Sequence, residues 1–256
     1  KYFLQQRGIR LSAQEDRLDE HEPFGELSGL ARYTLRHAIF NALVVRENVP
    51  DHIWLLSHLR NAGLLPPGFA AEPVLFKTLS EVKQQAMHFR AWRSGPGEVM
   101  PFELKLGRFV LQGNLDGIHA GGAARIVLGE MRGSHHCAHG LDALLLSALD
   151  TDIPLMEFVE LKKGRPLQRI RTTHESKAAR QYLGELLELF VLNQEQALPF
   201  HPDAGFAYIR NLHGQRDVFN EKAWEKAAEA MPEQDLWWMT AMRGQDPFQD
   251  ALDAPE

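Results

Sequence analysis

A single cysteine, Cys137, stands among the 256 residues, so no disulfide can close within the chain. One thiol in a chain of this size points to a reducing setting, and a cytoplasmic location is expected. No run approaches the roughly 18 apolar residues of a membrane span, and no secretory signal is visible, so no membrane role is expected. An excess of basic charge is missing too: 28 Lys and Arg stand against 34 Asp and Glu, a formal net charge of −6. Phosphate contacts dominate nucleic-acid affinity, so a chain that grips DNA over its whole surface would be basic. Any DNA contact here must be local, or made by a partner. The chain has no G-x-x-x-x-G-K-[ST] loop for a nucleotide and no local signature of a Ser or Cys nucleophile. No cofactor is expected, and no internal repeat or low-complexity linker is present.

The first residues also lack a beginning. Lys1-Tyr2-Phe3-Leu4-Gln5-Gln6-Arg7 reads as the middle of an amphipathic helix, with no initiator Met and no cap ahead of it. The expectation is a piece cut from a longer chain.

What is present is an ordinary globular composition, 44% hydrophobic and 24% charged, enough to bury a core. Ala31, Leu35, Ile39 and Leu43 recur at a spacing near four and predict a helix over 26–46. Pro50-Asp51 caps a second helix through Leu55 and Leu59, stopped near Gly63. A third starts around Pro73 and carries Leu75, Leu79, Val82, Ala86 and Phe89 on one face. The period then falls from about four to two. Phe102, Leu104 and Leu106 predict one strand, Phe109 to Leu115 a second, and Ala124 to Leu128 a third, a three-stranded meander. A helix over 141–149, a strand over 155–161, a short strand near Ile170 and a long helix through Ala178, Tyr182, Leu186 and Phe190 follow. Thr172 and Glu175 fit a capping box for that helix. Leu198 to Pro202 reads as a break, and a further helix is expected near 222–230, ahead of Trp237-Trp238. The order predicts an α/β core with helices around a mixed sheet.

One constellation carries candidate chemistry. Gly113-Asn114-Leu115-Asp116-Gly117 ends the second strand, and Gly129-Glu130-Met131-Arg132 ends the third. Two carboxylates on neighbouring strands can hold Mg²⁺, which polarises a phosphate while a lysine helps activate the attacking water. This α-β-β-β-α-β order, with its acid and acid-x-base, is similar to the restriction-endonuclease-like (PD-(D/E)XK) nucleases. Arg132 stands where that pattern has Lys, and Arg is planar and cannot give up its proton. Asp116, Glu130 and Arg132 are therefore read as vestigial candidates, with no catalytic residue and no metal expected. A plainer reading makes Asp116 the start of a turn and Glu130 with Arg132 a solvated pair. His135-His136-Cys137-Ala138-His139 offers zinc-type ligands but no second cluster to complete a tetrahedron, and is read as a loop ahead of a helix. Lys162-Lys163-Gly164-Arg165 is a basic tip, either a solvated hairpin or a phosphate contact through Lys162, Lys163 and Arg165. Trp237-Trp238 reads as a partner surface, a base-stacking pair or buried aromatics.

Six segments in order resemble the C-terminal region of the RecC family, the gamma chain of exodeoxyribonuclease V: Tyr2 to Arg7, Glu22 to Tyr33, Leu64 to Gly68, Gly113 to Gly117, Ala197 to Pro202 and Arg243 to Phe248. The resemblance covers nearly the whole chain. It implies a restriction-endonuclease-like fold without a working active site, set in the RecBCD helicase–nuclease. It implies further that the domain helps split the duplex, guides single strands and docks the RecD subunit, with RecB, RecD and forked or single-stranded DNA as partners. One departure lies after the third strand, where the family carries a basic, Pro-containing segment and a tryptophan-rich helix. This chain has Arg132-Gly133-Ser134-His135-His136 and an Ala/Leu-rich helix there. The expected organisation is a helical N-terminal part over 1–97, a nuclease-like core over 98–200 and a C-terminal extension over 201–256. Two competing readings are a metal-dependent DNA nuclease using Asp116 and Glu130, and an adaptor that binds protein alone.

Overall fold

The computed structural model describes residues 8, 27, 29–45, 49–161, 165–171, 173–196, 201–212, 221–229 and 240. Helices α1 (Gly29–Val45), α2 (His52–Asn61) and α3 (Ala71–Trp92) lead into strands β1 (Glu98–Leu106), β2 (Phe109–His119) and β3 (Gly122–Ile126). Helix α4 (Gly133–Ala148), strands β4 (Leu155–Leu161) and β5 (Arg165–Ile170), and helices α5 (Ser176–Glu195), α6 (Pro202–Asn211) and α7 (Glu221–Glu229) follow. The five strands form one mixed sheet in the order β1-β2-β3-β4-β5. Neighbours run antiparallel except β3 and β4. That parallel pair needs a crossover, and α4 supplies it.

Alternation along the strands divides the core between the two faces of the sheet. Ala124, Met156 and Phe158 pack with Leu35, Ile39 and Leu43 of α1 and Val82, Ala86 and Phe89 of α3. Ala123 and Leu155, one residue out of phase, turn to the opposite face and meet Ala143 and Leu146 of α4. Leu104 and Leu106 of β1 pack with Ala179 and Leu183 of α5. The result is an α/β architecture with helices on both faces of the sheet.

Local chemistry fixes several ends. The Asp51 carboxylate accepts from the Trp54 N–H at 2.7 Å and caps α2. The last carbonyls of α1, on Leu43 and Val44, accept from Arg90 and Arg93 of α3, so that terminus is satisfied by its neighbour. In β2 an extra residue sits between Leu115 and Ile118 opposite Glu98 and Met100, a β-bulge that contains Asp116 and Gly117. Gly117 takes φ +68°, a backbone that favours glycine.

The structure departs from the sequence expectations at four places. Strand β3 ends at Ile126, two residues before Leu128; one further backbone bond to β4 follows, from the Val127 N–H to the Phe158 carbonyl at 2.9 Å, before the chain turns at Gly129 with φ +137°. Glu130 and Arg132 therefore do not end a strand; they lie in the segment between β3 and α4. The histidine run is helical rather than a loop, since α4 begins at Gly133. Glu175 takes the N-cap place of α5 without a side-chain cap bond, and its expected partner Thr172 lies outside the described residues. Pro202, read as part of a break, opens α6 at its first turn, where a proline costs no hydrogen bond. Lys1 to Arg7 and Trp237-Trp238 lie outside the described residues.

Candidate functional site

Helix α4 lies across β3 and β4, and the face between them is polar. Register pairs Arg125 of β3 with Glu157 of β4, so both side chains rise toward α4. Asp142 and His139, three residues apart on α4, come down to meet them.

Arg125 is the first half of this seam. Its Nε donates to Asp142 Oδ2 at 2.5 Å, and its Nη1 donates to the Asp116 backbone carbonyl at 2.9 Å. The same Nη1 stands 3.5 Å from the Asp116 carboxylate, which is 83% exposed on its bulge. The guanidinium thus sits between two acids, one on β2 and one on α4.

Glu157 is the second half. Its side chain is 1% exposed and meets three donors: His139 Nδ1 at 2.7 Å, Arg171 at 2.8 Å and Arg169 at 2.5 Å. Burial pushes its pKa up, but hydrogen bonds from His139, Arg171 and Arg169 outweigh it and bring the carboxyl down to about 2. Glu157 stays ionised and binds α4, β4 and β5 into one unit.

Glu130 and Arg132 open onto a different place, a cleft of about 630 Å³ between α1 and the start of α4. Arg32, Tyr33 and Arg36 of α1 form its opposite wall, and Asp116 does not line it. Arg132 takes the N-cap place of α4, where its backbone N–H donates to His135 Nδ1 at 3.0 Å. On the α1 side, Glu81 binds Arg32 at 2.5 Å and stands 3.9 Å from Arg36. Burial, with the charges of His139 and Arg132, pushes the His135 imidazole down, so it adds no charge at neutral pH.

The remaining metal-type residues are engaged elsewhere. The His136 ring stacks on Phe206 of α6 at 3.8 Å, and His139 holds Glu157. Cys137 is exposed, yet partial desolvation and Asp203 push its thiol up, away from the thiolate a nucleophile requires. Among the described residues no three His, Cys, Asp or Glu side chains are grouped to hold a metal ion. Arg165 opens β5, while Lys162 and Lys163 lie outside the described residues.

Of the residues singled out from sequence, the structure brings Glu130 and Arg132 to one cleft and leaves Asp116 on the β2 bulge. Sequence reasoning missed Arg125, Asp142 and the Glu157 cluster. A signal for the last was present. An acid inside Leu155-Met156-Glu157-Phe158-Val159 must be buried with partners, and Arg169 and Arg171 share one face of the adjoining segment.

No helix among the described residues is long and apolar enough to cross a membrane. No curated protein matches the chain. Residues 1–213, which include every element from α1 to α6, match the family model of the RecC C-terminal domain, and the chain belongs to that family.

Proposed function

We propose that this domain is a nuclease-shaped module without a working active site, serving in the RecC subunit of the RecBCD helicase–nuclease during double-strand break repair. The element order, a helix, a three-strand meander, a crossover helix and a strand, supports a restriction-endonuclease-like core with Asp116 on its second strand. The observation that carries the reading is Arg125. Where an active enzyme of this kind holds Mg²⁺ between carboxylates, a guanidinium here bridges Asp116 and Asp142. It cannot be deprotonated and supplies no Lewis acid or nucleophile, so the acids are matched without chemistry. Within the complex the domain helps part the duplex, guides single strands and docks RecD beside RecB, in the cytoplasm. The basic turn through Lys162, Lys163 and Arg165 adds a phosphate contact. The division into 1–97, 98–200 and 201–256 belongs to the same proposal.

The test is cleavage of linear single-stranded DNA by the purified chain with Mg²⁺ and then Mn²⁺, beside an Asp116→Ala variant. Neither protein is expected to cut. Cleavage by the parent chain that disappears with Asp116→Ala would replace this reading with a metal-dependent nuclease using Asp116 and Glu130.

A further inference from the structure

The cleft between α1 and the start of α4 is lined by neither Asp116 nor Arg125. It gathers three guanidinium groups, Arg32 and Arg36 from one wall and Arg132 from the other, from positions far apart in the chain. Among the described residues that line it, the one carboxylate is Glu130, which is exposed. Against Glu130 in the lining and Glu81, which pairs with Arg32 and stands 3.9 Å from Arg36, the three arginines leave an excess of one positive charge in a chain of net charge −6. An excess of positive charge in a cleft attracts anionic ligands.

We infer that this cleft binds the phosphodiester backbone of single-stranded DNA and holds it uncut, an inference that rests on the nuclease-shaped reading and gives that domain a strand contact of its own. Arginine suits this ligand, because its planar fork meets two phosphate oxygens at once. Glu81 arranges the α1 wall through its contacts at 2.5 Å to Arg32 and 3.9 Å to Arg36. A guanidinium has five N–H donors, and the Arg32–Glu81 hydrogen bond uses one of them. Arg32 is 49% exposed, within reach of a ligand from solvent. Tyr33, 48% exposed in the same wall, offers an aromatic face on which a neighbouring base can stack.

The experiment titrates a fluorescent oligo-dT with the full 256-residue chain, reading anisotropy over a range of chloride concentrations. An Arg32→Gln/Arg132→Gln variant is compared with the parent, with Arg132→Lys, and with Arg108→Gln as a surface control. Arg108 pairs with Glu188 away from the cleft. Each phosphate contact on a single strand contributes about 0.7 to the salt slope, so the double variant should lose roughly 1.4 and bind about tenfold more weakly. Arg108→Gln should match the parent, and Arg132→Lys should keep the salt slope. Inorganic phosphate should displace the oligomer no better than chloride at equal ionic strength. Parent-like affinity and slope in a double variant of unchanged melting profile would overturn the inference. So would failure of the parent to bind oligo-dT, or preferential displacement by phosphate, which would mark a site for a free anion. Those results leave the uncatalytic reading standing, whereas cleavage of the strand removes that reading whatever the binding shows.

Discussion

Replacing Glu157 by glutamine should cost the fold a large part of its stability, and by an amount that depends on pH. The side chain is 1% exposed and accepts from His139, Arg171 and Arg169. Glutamine keeps the shape but leaves two guanidinium groups without their counter-charge. Removing one partner of a buried pair costs about 3–5 kcal/mol, and the 41% and 25% exposure of Arg169 and Arg171 lowers that to about 2–4. Linkage gives an independent figure. The carboxyl falls from an ordinary 4.5 to about 2 on folding, which corresponds to about 3 kcal/mol near neutral pH. A depressed carboxylate stabilises above its unfolded pKa and loses that contribution as pH falls through its folded one. The difference between parent and Glu157→Gln should therefore be about 3 kcal/mol at pH 7, about 2 at pH 3.5 and under about 1 at pH 2.5. Urea unfolding followed by circular dichroism at these three pH values, with m held common, gives the comparison. A difference below about 1 kcal/mol at pH 7, or one unchanged down to pH 2.5, would refute the reasoning.

Two further outcomes are expected. A Cβ at Gly133 would stand 2.2 Å from the Pro202 carbonyl oxygen, so Gly133→Ala should push α6 off the start of α4, and amide exchange across 202–211 should rise sharply relative to the sheet. Changing Lys162, Lys163 and Arg165 together to Glu should weaken forked-DNA binding by the assembled complex and flatten its salt dependence; unchanged binding would favour a domain that contacts protein alone.

How far the sequence reveals this structure depends on whether an element is specified locally. Strand β4 is read from sequence with the bounds it has in the structure, because its apolar run is continuous and its ends are marked. The capping of α2 by Asp51 and the apolar face of α3 are equally local. The start of α4 is not. Its first turn holds Gly133 and Ser134, both poorer helix formers than alanine, and the groups that stabilise it come from far away: Asp203 accepts from the Gly133 N–H at 2.5 Å, and Phe206 stacks on His136 at 3.8 Å. Helix α6 was hidden by the same coupling, since Pro199 and Pro202 look like breaks until one proline is placed in a first turn. The site shows the same division. Asp116, Glu130 and Arg132 follow from spacing along the chain. Arg125 and Asp142 follow only from strand register and from the way α4 crosses the sheet.

The polar seam and the arginine cleft bear on each other through charge. One turn of α4 separates His135, which lines the cleft, from His139, which belongs to the seam. Acids left unmatched there would repel a phosphate approaching the cleft, and would draw a cation instead. Asp142 is matched by Arg125, and Glu157 is matched by Arg169, Arg171 and His139. Replacing such buried pairs with apolar side chains often leaves a fold as stable or more so, so their cohesion alone is a weak reason for the seam. On the proposed reading, the seam acts on ligand choice: with its carboxylates internally matched, Arg32, Arg36 and Arg132 outnumber the acids Glu81 and Glu130 at the cleft. Arg125 is the residue on which that matching turns, because its guanidinium lies between Asp116 and Asp142.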